Sequence, residues 1–351
     1  MGRAPKFCII LAGGKGTRMR SADRPKVCFP IDGRPAIVHA IDIYRQCGIA
    51  HPVVVVGAMS GQVIETVGRV HEGVLFAYQA EQLGTGHAAT AACQRLGQFD
   101  GSVAITVGDA PFLKPSTLDR AFAEHLRSSA VATVVTGIVD DPSGLGRILR
   151  DPEGRVRAIV EEAEASPEEK AIHEVNSGCY VFDQRALVRA LERIIPENTQ
   201  QEYYLTDVAA LLVNDGETVM SLVAEDPREV FGINSRADLA AAHRVLQEET
   251  VSALMADGVT VVDPATTYID PQARVGPDTV IEPFCILEGG LEVGPGCHIG
   301  PYSHLIGRRA VGPPGQESPE LPTLEAGARV SRGTLHLQQR EPAPTSELHT
   351  S

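Results

Sequence analysis

Positive charge is what the 351-residue sequence is short of: 31 Lys and Arg stand against 45 Asp and Glu, a formal net charge of -14. A general nucleic-acid or anionic-membrane binder needs a surplus of cations to displace counterions from phosphates, so neither class is expected. Long apolar runs are also missing. No stretch approaches the roughly 18 consecutive apolar residues of a membrane span, and the N-terminus runs into a strand-like segment without an apolar leader and cleavage site; a cytoplasmic protein is expected. Paired cysteines are the third absence. The seven, at positions 8, 28, 47, 93, 179, 285 and 297, include no Cys-x-x-Cys. An odd, scattered set suits free thiols in a reducing compartment better than a disulfide framework or a zinc site.

What is present is the composition of a globular protein, 43% hydrophobic and 22% charged, in a chain long enough for two domains or more. From residue 6 to about 230, β-branched runs (Phe7–Leu11, Pro52–Val56, Val103–Val107, Val131–Thr136) alternate with amphipathic stretches such as Ala36–Gln46 and His87–Leu96. That alternation predicts an α/β domain of βαβ units around a largely parallel sheet. Arg236 to Ala256 then reads as one helix, stopped by Gly258. Beyond it the texture changes. Every sixth residue from Ile269 is aliphatic: Ile269, Val275, Ile281, Leu287, Val293, Ile299, Leu305 and Val311. This is the pattern of a parallel β-helix, in which each six-residue side turns one aliphatic inward and stacked coils bury a column. The expected division is a domain over 1–235, a linker helix over 236–257, a short β-helix of about three coils over 258–312, and a Pro/Gly/Glu-rich tail over 313–351, too poor in apolar residues to order itself. Leu324 and Val330 again stand six apart, which leaves room for an isolated further coil after an inserted segment.

Two segments stand directly after apolar strands, where sites in parallel sheets lie. "LAGGKGTRMRS", Leu11 to Ser21, packs glycines and cations into one turn, with Arg24 and Lys26 just beyond. It is neither a Walker A motif nor Gly-x-Gly-x-x-Gly. Exposed backbone N–H groups with nearby cations suit phosphate oxygens; the alternative is a tight turn beside a solvated basic face. "VGDAP" carries Asp109, either a turn or cap residue or, where phosphates are held, the single carboxylate by which Mg²⁺ is commonly retained. "QAEQLGTGHA", Gln79 to Ala88, supplies amides and the turn Gly84-Thr85-Gly86. "EVNSGCYVF" holds Asn176, which alone reads as a structural turn.

Together with "RPKV", "GLGRI", "IVEE", "EYYLTD" and "FGINSRADL", these segments resemble the sugar-1-phosphate nucleotidyltransferases, most of all the uridyltransferase half of the bacterial bifunctional enzymes that make UDP-N-acetylglucosamine. The likeness runs in order over about residues 6–310. It implies a Rossmann-like nucleotide-diphospho-sugar transferase domain followed by a left-handed parallel β-helix. It also implies site residues. The backbone of Leu11, Ala12, Gly13 and Gly14, with Gln79, Gly84, Thr85 and Gly108, would frame the nucleotide. Arg18 and Lys26 would bind and polarise phosphates, and Asp109 and Asn234 would hold Mg²⁺. Gly146, Glu161 and Asn176 would line a sugar pocket. UTP and a sugar-1-phosphate are the implied partners, and a homotrimer through the β-helix is the implied assembly.

Two departures qualify this. Val107 stands where that family usually has a pocket Tyr, which keeps other sugar phosphates open. Gly13 replaces a commoner Ala, a change expected to be harmless. The acetyltransferase segments of the bifunctional enzymes are not found in this sequence, "EAGARVSRG" being a faint echo, so acetyl transfer is not expected. No Ser-His-Asp or Cys-His set is present among the motifs, as suits a reaction whose nucleophile is already a phosphate anion. A non-catalytic nucleotide-sugar-binding subunit is the rival from another class; Lys26, Asp109 and Asn234 together speak against it.

Overall fold

The structure, a computed structural model, describes residues 6–308, 323–325, 328–330 and 333–338. The chain divides into two compact units, Met1–Leu239 and Ala240–Ser351.

The first unit is a nine-stranded sheet between two helical layers. Its strands are β1 (Lys6–Leu11), β4 (Val53–Val56), β5 (Leu75–Tyr78), β6 (Ser102–Val107), β7 (Ala132–Ile138), β8 (Arg147–Arg150), β9 (Val156–Val160), β10 (Glu174–Asp183) and β11 (Val219–Val223); β2 (Pro30–Ile31) and β3 (Arg34–Pro35) form a separate ribbon. The helices are α1 (Ala36–Gln46), α2 (Ser60–Gly68), α3 (Thr85–Leu96), α4 (Pro115–Ser128), α5 (Pro167–Lys170), α6 (Gln184–Leu191) and α7 (Asp207–Asn214). Because successive strand residues face opposite ways, Ile9 packs in one layer with Ala88, Ala92, Leu187 and Val208, while Cys8 and Ile10 pack in the other with Ile37, Ile41, Val63 and Phe122. Both faces are therefore apolar, which explains the near-continuous hydrophobic runs of β1, β4 and β6.

The strand order is β11-β7-β10-β6-β1-β4-β5. The chain builds outward from β1 through β4 to β5, then returns to lay β6 on the other side of β1, so the order reverses between β1 and β6. Ligand crevices form at such reversals, beyond the carboxyl ends of the strands. The sheet is less uniformly parallel than the alternation of elements predicts: β10 runs antiparallel to both β6 and β7, and β8 and β9 hang from it as an antiparallel ribbon. A buried strand shows the same apolar texture in either direction, so its sense is not written in its pattern.

The second unit contains the rest of α8 (Arg236–Ala256) and a parallel β-helix. Its sides are β12 (Thr260–Val261), β13 (Tyr268–Ile269), β14 (Arg274–Val275), β15 (Val280–Ile281), β16 (Ile286–Glu288), β17 (Glu292–Val293), β18 (His298–Ile299) and β19 (Ser303–Arg308). Ile269, Ile281, Leu287, Val293, Ile299 and Leu305, members of the six-residue series, are buried in one column, with Val275 packed against it. Gln247 of α8 closes one end: its side-chain amide donates to the Ile269 carbonyl and accepts from the Ile269 N–H, each at 2.8 Å, doing the work of a neighbouring strand.

The tail expected from residue 313 is corrected in part. β20 (Thr323–Leu324), β21 (Arg329–Val330) and β22 (Gly333–Gln338) pair in parallel onto β17, β18 and β19. Leu324 falls beside Val293 and Val330 beside Ile299, because they restore the aliphatic spacing that the column needs. Glu292 pairs with Arg274, 18 residues back, and with Thr323, 31 residues on. Val311 and Arg340 to Ser351 lie outside the described residues.

Candidate active site

The turn after β1 opens a cleft of about 420 Å³. Leu11, Ala12, Gly13, Gly14, Lys15, Gly16 and Thr17 line one side, with Lys26, Gln79, Gln82, Gly84, Thr85, Val107, Asp109 and Glu202 around them. Gly16 holds φ +59, and a Cβ there would stand 2.9 Å from the Lys26 side chain. Glycine thus lets the turn curl against the segment carrying that lysine. Gly108 is buried behind the cleft, its N–H donating to the Leu11 carbonyl at 2.9 Å, and so ties the two strand ends together.

The segments "QAEQLGTGHA" and "EYYLTD" form one body. Gly86 N–H donates to Tyr203 O at 2.7 Å, Tyr203 N–H to Leu83 O at 2.8 Å, and Leu205 N–H to the Thr85 hydroxyl at 2.9 Å. At Gly84, with φ +108, an added Cβ would lie 2.6 Å from the Tyr203 carbonyl, so no side chain fits. Thr85 therefore holds the "EYYLTD" segment as well as lining the cleft. Gln79 is 3% exposed; its amide donates to Gly84 O at 3.1 Å. Its Oε1 would stand 2.7 Å from a Cβ on Gly13. An Ala there would meet the end of the Gln79 side chain, which would have to turn aside.

Asp109 is 5% exposed, and it is not a helix cap, since the following helix starts only at Pro115. Its carboxylate is paired with the Lys26 ammonium. The same ammonium donates to Asn234 Oδ1 at 3.0 Å, and Arg18 Nη2 donates to that oxygen at 2.9 Å. Asn234 is itself held by a capping box: Asp238 accepts from the Asn234 and Ser235 N–H groups at 2.9 and 2.8 Å, and the Ser235 hydroxyl accepts from Asp238 N–H at 3.2 Å. Arg18 and Asn234 line an adjoining hollow of about 690 Å³. Arg24, counted with the cations in the sequence, stacks instead over the Phe29 ring at 5.4 Å.

A single positive group thus reaches an oxygen of both Asp109 and Asn234. Carboxylate and amide oxygens are the hard donors that a divalent ion such as Mg²⁺ takes, its other positions being filled by water and phosphate. The residues present fit such an ion. Among the described residues no group of three or more His, Cys, Asp or Glu could hold a metal without help from a ligand.

Gly146, Glu161 and Asn176 are brought together, but as a separate wall rather than as lining of the 420 Å³ cleft. Asn176 N–H donates to Gly146 O at 2.8 Å, and a Cβ on Gly146 would lie 3.5 Å from Glu161 Oε2. The strand bearing Asn176 shifts register between Asn176 and Tyr180, and the Asn176 amide donates to the Tyr180 hydroxyl at 2.7 Å. Burial pushes the Glu161 carboxyl above its ordinary range, although the Thr206 hydroxyl donating at 3.0 Å works the other way. Thr206 stands 45 residues from Glu161 in the chain, so their contact is not visible in sequence, whereas Tyr180 is four residues from Asn176 in the same motif. Val107 Cγ1 faces Gly178 at the distance a Cβ would contact, 3.6 Å.

A mixed α/β sheet with a glycine turn, convergent cations and a lone buried carboxylate at its reversal point is the design of a nucleotide-handling transferase. Residues 7–228 match the nucleotidyl transferase family, and residues 272–307 match the bacterial transferase hexapeptide family. The chain belongs to the nucleotidyl transferase family. It is 44% identical over 284 residues to the bifunctional protein GlmU of Heliobacterium modesticaldum and 46% identical over 285 residues to that of Trichlorobacter lovleyi, in each case over 81% of this chain. It spans 61% and 62% of the length of those two relatives. A crystal structure assigned as a glucose-1-phosphate thymidylyltransferase from Bacillus anthracis, with a sucrose, superposes with a TM-score of 0.57 at 21% identity, over 69% of this chain and 95% of that one; this likeness is one of fold. No described helix is long and apolar enough to cross a membrane.

Proposed function

We propose that the chain transfers UMP from UTP to N-acetylglucosamine-1-phosphate, giving UDP-N-acetylglucosamine and pyrophosphate. The observation that carries this reading is the convergence of Arg18 and Lys26 on Asp109 and Asn234 beside a glycine turn at the sheet's reversal point. An oxygen of the sugar phosphate attacks the α-phosphorus in line, and the bond to the pyrophosphate oxygen breaks as the new P–O bond forms. The nucleophile is already an anion, so no general base is required. The chain's task is to position the reactants and to offset charge. Gly13, Gly14 and Gln79 frame the nucleotide; Lys26 and Arg18 turn from Asn234 to the phosphates, Arg18 bearing on the charge that grows on the leaving group. Asp109 and Asn234 would hold Mg²⁺, which supplies neutralisation of the phosphates when bound. Glu161 and Asn176 accept and donate to the sugar.

The relatives' name supports the choice of substrates, as does a carboxylate beside an amide at the sugar wall. Val107 supports a second reading, transfer to glucose-1-phosphate or a related sugar phosphate, because an aliphatic side chain offers that wall no hydroxyl. Cytoplasmic location and a homotrimer through the β-helix belong to the same proposal. The test is to incubate the protein with mixed nucleoside triphosphates, a panel of sugar-1-phosphates and Mg²⁺, then to identify the nucleotide sugar by mass spectrometry. UDP-N-acetylglucosamine as the main product is expected; absence of pyrophosphate release with every pair overturns the reading.

A further inference from the structure

Arg147 of "GLGRI" and Glu162 of "IVEE" have no part in the chemistry above. Yet Arg147 is 1% exposed and among the largest fully buried side chains of the chain. A buried guanidinium costs several kcal/mol unless its donors are matched. Nη1 donates to the Leu145 carbonyl, and Nη2 to Glu162 Oε2 at 2.7 Å and Lys170 O at 3.4 Å, while Nε is buried without a partner. Glu162 also accepts from Gly144 N–H at 3.3 Å. Arg147 and Glu162 therefore close a latch across the turn at residues 144–146.

The register shows what the latch serves. Arg147 pairs with Val160 of β9 on one side and Val175 of β10 on the other. One step along each of these three segments come Gly146, Glu161 and Asn176, the residues of the sugar wall. Neighbouring strand residues face opposite ways, so Arg147 lies on the reverse of that wall. An apolar side chain in the same place commonly serves stability as well as a buried ion pair does; what it lacks is a directional hold on the turn.

We infer that Arg147, braced by Glu162, is a positioning residue of the sugar-phosphate pocket: it fixes the 144–146 turn and thereby the spacing of Gly146, Glu161 and Asn176. This rests on the reading of that wall as the sugar side of the site. Loosening the latch impairs recognition of the sugar phosphate and leaves the nucleotide side alone. The experiment compares wild type with Arg147→Met, Arg147→Lys and Glu162→Gln in steady-state kinetics on both substrates, with UTP affinity measured separately by calorimetry. Arg147→Met is expected to raise KM for the sugar phosphate about tenfold, equivalent to about 1.4 kcal/mol, with UTP affinity within twofold. Glu162→Gln moves it the same way by less, and Arg147→Lys recovers part of the loss. A lower melting temperature with unchanged KM, or equal losses toward both substrates, overturns the inference. Should Arg147→Met not fold, Glu162→Gln on the more exposed partner decides by the same two criteria. If the wild type prefers another sugar phosphate, the same KM shift measured on that sugar supports the latch while correcting the substrate; acceptance of no sugar phosphate overturns both.

Discussion

On the proposed phosphate side of the site, the polar atoms bond to one another: the long side chains of Arg18 and Lys26, carried on short turns, both reach Asn234, and Lys26 also holds Asp109. On the proposed sugar side, shorter groups stand on or beside paired strands, and behind them a buried Arg147 paired with a half-exposed Glu162 spans their turn. The first arrangement has to be undone before it can serve, since each cation is engaged by the oxygens it would leave. The second is already set. The difference follows the ligands: phosphates bring enough charge to draw ammonium and guanidinium groups away, whereas a neutral sugar cannot reorganise its host and must find its hydrogen-bond partners in place.

Three measurements would break or sharpen this contrast. The largest effect is expected at Arg18. Arg18→Ala should lower kcat about 100-fold for every accepted nucleotide, because the contact is strongest where charge develops on the leaving group. Arg24→Ala, whose cation is stacked on Phe29, should alter kcat less than about twofold, as exposed cations seldom contribute more than roughly 1 kcal/mol. Equal responses of the two would mean that the basic turn is only a solvated face. A smaller effect concerns Lys26, which would compete with a divalent ion for Asp109 and Asn234 if those oxygens hold one. Without nucleotide, Lys26→Met should bind Mn²⁺ about fivefold more tightly by electron paramagnetic resonance; unchanged or weaker binding would show that the ammonium does not guard those oxygens.

The smallest effect is on the preset side. Because burial raises the Glu161 carboxyl, the folded chain holds that proton more tightly than the unfolded chain. Its contribution to stability is complete only in acid and is lost as pH rises through the raised value. Glu161→Gln imitates the protonated form. It should melt about 1 °C higher than wild type at pH 7.5, the size of a change of less than about 1 kcal/mol in a chain this long, and the gap should close as pH falls toward roughly 4. A gap that widens in acid would contradict a buried, strained carboxylate.

The sequence makes the periodic features legible and leaves the non-local ones dark. The six-residue series reaches Leu305, and even Leu324 and Val330 announce the further coil, because inward aliphatics recur at a fixed step. β12 lies within the span expected for the β-helix, but not in its six-residue series, since Val261 and Ile269 stand eight apart. The helix Arg236–Ala256 is read to its last residue, from apolar spacing and a stopping glycine. The glycine turn and Asp109 are visible as signals after strands. Their joining by Lys26 and Asn234, 208 residues apart, is not, and neither is the Arg147–Glu162 latch, which has no period or signature. Whether an Arg faces water or core depends on what the fold places over it.

The step of 31 residues from Glu292 to Thr323, where the coil before it takes 18 from Arg274 to Glu292, carries a consequence for how this chain can change length. The rungs beyond the longer step stay paired, His298 with Arg329 and Leu305 with Leu335, so the spacing between coils differs while the spacing within each side does not. One residue added within Glu292–Val293 or His298–Ile299 would turn an inward aliphatic toward water. The β-helix is strict along its sides.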